Sequence, residues 1–167
     1  MRHIISVLVR NHPGVLSHVV GLFTRRSYNI ESLAAGITEN PEITRLTIVV
    51  TGDDRVLDQV TKQVNKLVDV LKVTDLKYGQ AITRELAIIT VRTTLQSRGS
   101  VIEIAHVFGA KAVDMSEDTI TLELSGTENV IQNLVRLLSP FGIVEMARTG
   151  MIALAMKSSE QHMSTDQ

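Results

Sequence analysis

The chain has 167 residues, of which 44% are apolar, and a formal net charge of −1 at pH 7. Aromatic residues make up only 3% and tryptophan is absent, so the chain lacks the surface expected for binding nucleic acid or anionic lipid. The sequence contains no cysteine, which excludes disulfides, thiol catalysis and thiolate-bound metals.

The N-terminus, MRHIISVLVRN, lacks an apolar run long enough for a signal peptide. No stretch reaches the roughly 18 apolar residues that a membrane-spanning helix needs. The sequence therefore predicts a cytoplasmic protein that does not cross a membrane. Residues 158–167 are polar and aperiodic, which is typical of a disordered tail.

A strand and a helix are predicted at the start of the chain. Residues 3–10 form a nearly continuous apolar run, as expected for a central strand that is covered on both faces. Residues 14–26 show the spacing of a helix with one apolar face. That face comprises Val15, Leu16, Val19, Leu22 and Phe23.

The next elements complete a first structural unit. Residues 44–50 alternate between two faces, which predicts a strand. The turn TGDD follows, and Asp53 or Thr51 can cap the helix after it. The apolar segment KLVDVLKV, residues 66–73, then closes the unit as a strand.

The chain also repeats itself. Residues 47–73 align without a gap on residues 121–147, and most apolar positions match in kind. In the second copy, the apolar spacing of residues 128–138 predicts a helix with one apolar face. Each copy reads as β-α-β-β-α-β, the ferredoxin-like arrangement with an antiparallel sheet and both helices on one face. We therefore predict an α+β protein of two tandem ferredoxin-like units, residues 1–78 and 83–157, and we expect so small a unit to pair with a second copy.

No residue cluster is typical of an active site. The five histidines show no catalytic pattern, and the spacing of His12 and His18 does not suit a metal site on one helical face. A phosphate-binding GxxxxGK[ST] motif is absent, and helix capping explains Asp53 and Asp54. We therefore expect no catalytic residues, no metal and no cofactor in this chain.

The segment NHPG, residues 11–14, joins the first strand to the first helix and is a candidate ligand site. Pro13 suits this position because no amide is needed there, and Gly14 lets a ligand approach the backbone. The amides of Gly14, Val15 and Leu16 and the positive end of the helix dipole can bind a carboxylate.

Two asparagines stand at opposite ends of the first helix. Asn11 and Asn29 can each donate and accept a hydrogen bond, which suits a zwitterionic amino acid. Val15, Leu16 and Ile30 would favour a small, branched aliphatic side chain. A purely structural interpretation is also open, in which Asn11 caps the helix and Asn29 ends it in a left-handed conformation.

Four segments carry a resemblance to a known family. NHPGVLSHVVGLFTRRSYNIESL, TRLTIVV, KQVNKLVDVLKV and FGIVEMARTGMIAL together resemble the small, regulatory subunit of acetolactate synthase (acetohydroxyacid synthase). The resemblance extends over about residues 2–156. It implies that the first unit is an ACT domain, and that two such domains pair side by side as a homodimer with an effector at their interface.

The resemblance also implies a function without chemistry of its own. Such a subunit binds the large catalytic subunit, which uses thiamine diphosphate, Mg²⁺ and FAD, and raises its activity. It confers feedback inhibition by valine in branched-chain amino acid biosynthesis. The effector loop of the family falls on Asn11, His12, Pro13, Gly14, Val15 and Leu16, with Asn29 and Ile30 from the facing domain and Ser17 supporting the loop.

Two positions depart from the family pattern. Ser27 stands where a glycine usually precedes Tyr-Asn-Ile, and it would be strained if that position requires a positive φ. Strand residues 86–94 lack a lysine expected near position 90, which concerns only the second unit.

Three other functions compete with the regulatory subunit. A stand-alone amino-acid sensor acting on another enzyme or regulator would share the same ligand site. A ferredoxin-like enzyme would need a residue cluster that the sequence lacks. A nucleic-acid-binding domain would need aromatic residues on its strands and a basic face.

Overall fold

The computed structural model describes residues 1–160. The strands are β1 Arg2–Arg10, β2 Asn29–Ile37, β3 Ile43–Thr51, β4 Val70–Leu76, β5 Ala81–Arg92, β6 Lys111–Met115, β7 Thr119–Gly126, β8 Ile143–Arg148 and β9 Ile152–Ala155. The helices are α1 Val15–Arg25, α2 Asp54–Asn65, α3 Arg98–Phe108, α4 Glu128–Leu138 and α5 Lys157–Glu160, with a turn of 3-10 helix at Ser139–Phe141. This order confirms the α+β class and the two β-α-β-β-α-β units.

The chain forms two compact units. Of the described residues, the first comprises 1–82 together with 151–160, and the second comprises 83–150. The sequence had placed residues 151–157 with the second unit. The first three residues of the expected disordered tail, 158–160, belong to α5, and residues 161–167 lie outside the described part of the chain.

The sheet of the first unit is antiparallel, with strand order β2-β3-β1-β4. Strand β1 is central, as its apolar run predicts, and alternate residues of β1 and β3 point to the two helices. Its helix-facing core contains Ile5, Val7, Val9, Leu46, Ile48 and Val50 from the strands and Val19, Phe23, Leu57, Val60 and Val64 from the helices. Asp53 caps α2 as predicted, because its side chain accepts a hydrogen bond of 2.7 Å from the Arg55 amide.

Two expectations about local packing were wrong. Leu16 was expected in the core but is 42% exposed, because the buried line of α1 runs through Val15, Val19 and Phe23 at intervals of four residues. The closing strand begins at Val70 and not at residue 66, since Lys66 still bonds to the last turn of α2. An apolar segment of this length does not distinguish the end of a helix from a strand.

The opposite face of the first sheet is covered by the segment that follows Gly150. Met151 and Ala153 are buried there against Ile4, Val49 and Leu76. This explains why β1 and β3 are apolar on both faces. A sheet of this size with one uncovered apolar face would expose those residues to water.

The second unit repeats the layered design with strand order β6-β7-β5-β8. Its core lies between the sheet and helices α3 and α4, and it includes Ile89, Ile120, Leu122, Ile131, Leu134 and Leu138. Helix α4 spans the predicted residues 128–138. Its outer apolar residues Val130 and Leu137 are 36% and 42% exposed, so the buried face of α4 is narrower than the apolar face in the sequence.

Candidate functional site

The loop between β1 and α1 is held at the ends of two neighbouring strands. The Asn11 amide donates to the Glu42 carbonyl at 2.8 Å, and the Asn11 side chain donates to the Pro41 carbonyl at 3.3 Å. On the other side, a ring nitrogen of His12 lies 2.9 Å from an Asp69 carboxylate oxygen. These contacts fix the backbone of the loop while leaving both side chains largely exposed.

The N-terminus of α1 has no side-chain cap. Gly14 occupies the cap position with φ of 83°, and a Cβ built there would meet nothing within 4 Å. The Val15 amide makes only a long contact of 3.5 Å with the His12 carbonyl. The structural interpretation of Asn11 as the helix cap is therefore wrong, and the first turn keeps amide donors and a positive dipole end for an anion.

An exposed aliphatic side chain lies beside these amides. Leu16 exposes 42% of its surface at the start of α1, and Ser17 next to it is also exposed. Val15 is only 4% exposed and anchors the helix start to the core. The segment from Asn11 to Ser17 thus brings together polar side chains, the first-turn amides of α1 and an exposed aliphatic side chain.

Asn29 and Ile30 lie elsewhere in the same chain. Asn29 is the first residue of β2, pairs with Thr51 and is exposed, while Ile30 packs partly against the core. The residue with positive φ after α1 is Ser27, at 60°, so the interpretation of Asn29 as the left-handed helix end is wrong. The strain expected of a serine at that position is therefore present.

The two asparagines do not meet within one chain. Asn29 is opposite Thr51, which in turn is opposite Arg2, whereas Asn11 follows the far end of β1. Nine strand residues separate these ends, and at about 3.4 Å per residue they are roughly 30 Å apart. A site containing both asparagines therefore requires two chains.

Tyr28 was not recognised from the sequence, although it fixes the backbone immediately before Asn29. Its ring covers Gly52, where a Cβ would lie 2.1 Å from a ring carbon, and its hydroxyl donates to the Asp53 carbonyl. The ring also meets Phe23 edge to face, with centroids 6.4 Å apart. Burial, and secondarily the charges of Asp53 and Asp54, raise the pKa of Tyr28 above its ordinary value.

A bulge in β2 explains how its residues are distributed. The register with β3 shifts between Ile30 and Ser32, so Ile30 and Leu33 both face the helices and Ser32 faces the other way. The bulged Glu31 pairs with Arg2 at 2.7 Å and accepts a hydrogen bond from the Thr51 hydroxyl. That hydrogen bond, aided by Arg2, lowers the pKa of Glu31.

A cleft of about 630 Å³ adjoins the β1–α1 loop. It is lined by residues 10–12, residues 40–43 and Leu71, and no residue of α1 belongs to its wall. Arg10 and Glu42 contribute opposite charges at its exposed rim. The cleft is therefore distinct from the N-terminal end of α1, although it adjoins the same loop through Asn11 and His12.

The described residues contain neither a candidate metal site nor a candidate membrane-spanning helix. Within residues 1–160, no group of three or more histidine or acidic side chains is arranged to hold a metal ion. Nor does any helix in that range have the length and apolarity needed to cross a membrane.

The sequence matches two family profiles that together span most of the chain. The profile of the AHAS small subunit-like ACT domain matches residues 5–72, and that of the small subunit of acetolactate synthase matches residues 84–157. The first unit is thus an ACT domain.

Individual relatives agree with these profiles over nearly the whole chain. The probable acetolactate synthase small subunit of Archaeoglobus fulgidus is 45% identical, over 92% of this chain and 96% of the relative. The acetolactate synthase small subunit of Mycolicibacterium smegmatis is 44% identical, over 92% of this chain and 90% of the relative. The chain therefore belongs to the acetolactate synthase small-subunit family.

A solved structure supports the same assignment. The acetolactate synthase small subunit of Thermotoga maritima superposes with a TM-score of 0.86 at 35% sequence identity, covering 93% of this chain and 98% of that one. The agreement covers both units.

Proposed function

We propose that this chain is the regulatory subunit of acetolactate synthase, and that it binds valine between the ACT domains of two copies. Family membership supports the subunit role, since the relatives named above are small subunits of that enzyme. The observation that carries the binding site is the uncapped N-terminus of α1, with Leu16 exposed beside it.

A homodimer would complete this site. Strand β2 lies at the edge of its sheet, and two copies that pair antiparallel through β2 have reversed strand directions. Asn29, at the start of β2 in one copy, then approaches the end of the sheet that bears Asn11 and Gly14 in the other. Such a pair contains two equivalent sites.

Each part of valine has a counterpart in that arrangement. The carboxylate would bind the first-turn amides after Gly14, where the helix dipole favours negative charge. The amide oxygens of Asn11 and Asn29 would accept from the ammonium group. Leu16 and Ile30 would contact the isopropyl group. Ser17 would support the loop from the next helical position.

Regulation follows from unequal binding to two states of the complex. Valine can shift the catalytic subunit only by the difference between its affinities for the inhibited and active arrangements. A typical coupling of about 1–3 kcal/mol would change activity or affinity by roughly 5- to 150-fold. The chemistry, with its thiamine diphosphate, Mg²⁺ and FAD, would reside in the catalytic subunit, in the cytoplasm.

Calorimetric titration with valine tests the site. We expect the wild-type chain to bind saturably and the Gly14→Asp variant to lose binding, because a carboxylate would occupy the anion position. Gly79→Asp is its matched control, since Gly79 also has a positive φ, 80°, and open space around its Cβ position. Asn29→Ala should also lose binding, while Asn133→Ala, at an exposed position of α4, should not.

The subunit role needs a separate measurement. Addition of the chain to purified catalytic subunit should raise acetolactate formation, and valine should then inhibit it. Valine binding without any effect on that enzyme would favour a stand-alone sensor. Absence of valine binding, in a chain that is folded and dimeric, would contradict the effector site.

A further inference from the structure

The segment 151–156 is bonded to the strand that carries Asn29. Its Met151 amide donates to the Ser32 hydroxyl at 2.9 Å, and its Met156 amide donates to the Gln80 carbonyl at 2.8 Å. Between these bonds, Ala153 is only 3% exposed and lies on the sheet face opposite the helices. We call residues 151–156 the strap.

Ser32 is placed where it can report changes in β2. It lies three residues after Asn29, at the far side of the bulge that holds Glu31. Asn29 and Ile30 would contact the effector under the proposed function. Ser32 therefore lies on the same strand as those contacts, directly after the bulge.

The strap is covalently continuous with the second unit. The chain leaves the first unit after Ile82 and returns to it at Met151, directly after Gly150. Gly150 has φ of 79°, a conformation that a glycine adopts freely. Strand β8 ends at Arg148, so only Thr149 and Gly150 separate the second sheet from the strap.

Burial alone explains only part of this arrangement. Covering Ile4 and Val49 requires apolar side chains such as those of Met151 and Ala153. It does not require a bond from the strap to a side chain of the edge strand β2, since Met151 and Ala153 already pack against Ile4 of β1 and Val49 of β3. The Met151–Ser32 hydrogen bond attaches the strap to β2, which is the strand that bears the proposed effector residues Asn29 and Ile30.

We propose that the strap transmits the state of the effector site to the second unit through the Ser32–Met151 hydrogen bond. The proposal rests on the proposed function, because it takes valine at Asn29 and Ile30 as its input. Valine fixes β2, the Ser32 hydroxyl holds Met151 in one position, and the chain after Arg148 is restrained. Ser32 is thus a positioning residue that acts through the strap and does not touch the ligand.

Amide hydrogen exchange in the full-length chain tests this transmission. The readout is β8, Ile143–Arg148, which contains no proposed effector residue. We expect saturating valine to slow exchange of the β8 amides by at least about fivefold, the lower end of typical coupling. Ser32→Ala should abolish that change while valine affinity, measured by calorimetry, stays within about twofold of wild type.

Two further variants separate a lost hydroxyl from a damaged fold. Ser32→Thr keeps a hydroxyl donor and acceptor and should retain the response of β8. Ser125→Ala removes an exposed serine from a strand of the second unit and should also retain it. Loss of the response in either variant would contradict the specific role of the Ser32 hydroxyl.

The outcomes distinguish the two proposals. Valine binding with unchanged β8 exchange in the wild type, or an undiminished response in Ser32→Ala, overturns the strap and leaves the effector site intact. Failure of valine to bind overturns the effector site and removes the input of the strap with it.

Discussion

Replacement of Gly52 by alanine should disrupt the connection between α1 and β2. The new Cβ would lie 2.1 Å and 2.6 Å from two ring carbons of Tyr28, distances at which the ring must move. Those atoms belong to a buried ring wedged against Phe23 and cannot swing into solvent like the end of a flexible side chain. Displacement of the ring would also break its hydroxyl bond to the Asp53 carbonyl.

The cost can be bounded from these contacts. Overpacking a core typically costs about 1–3 kcal/mol, and loss of a neutral hydrogen bond adds about 1 kcal/mol. We therefore expect Gly52→Ala to lower the free energy of unfolding by about 2–4 kcal/mol. Valine affinity should fall as well, because Asn29 directly follows the displaced tyrosine.

Urea unfolding of a double-mutant cycle provides the assay. In a Tyr28→Ala background the clash is absent, so Gly52→Ala should cost less than about 1 kcal/mol there. Gly36→Ala is the control, since its Cβ would meet nothing within 4 Å. An equal cost of Gly52→Ala in both backgrounds would refute the reasoning, because it would locate the penalty in the backbone of residue 52 and not in the ring of Tyr28.

Two further predictions concern the same end of the sheet. Ser27→Gly should raise the free energy of unfolding by up to about 1 kcal/mol in urea titrations, because relief of the left-handed φ of 60° exceeds the entropy that glycine adds to the unfolded chain. Glu31, whose pKa is lowered by Thr51 and then by Arg2, should stabilise the fold above its unfolded pKa near 4.5. That contribution should disappear as the pH falls through the pKa that Glu31 has in the folded protein. The free energy of unfolding should therefore fall less steeply with acidification in the Glu31→Gln variant than in the wild type. An equally steep fall in both would mean that the Glu31 contacts contribute nothing.

Periodic elements were predictable because their patterns are local. The alternation of β3 and the apolar face of α4 depend on residues a few positions apart, and α4 was placed at its observed bounds. The cap at Asp53 was predictable for the same reason, since an Asx cap needs only its own helix start. The strained position of Ser27 followed from comparison with the glycine expected there.

Other features depend on contacts between distant parts of the chain. The packing of Tyr28 on Gly52 joins residues 24 positions apart, and an aromatic residue and a glycine at such a separation form no local pattern. The return of Met151 to Ser32 joins residues 119 positions apart. The bulge at Glu31 is defined by the register between β2 and β3, and the sequence does not show that register. The sequence therefore named the residues of the candidate site but could not show how β2 is held.

The separation of Asn11 from Asn29 has a thermodynamic consequence for the proposed site. If both asparagines hold one valine, the ligand binds a pair of chains and not a single chain. Linkage then requires valine to strengthen the association of the two chains by the same factor by which association strengthens valine binding. A substitution on β2 that weakens pairing must consequently weaken the apparent affinity for valine even when every contacting side chain is intact. Control over the edge strand, as exerted by Tyr28 directly before it, is therefore control over both ligand affinity and assembly.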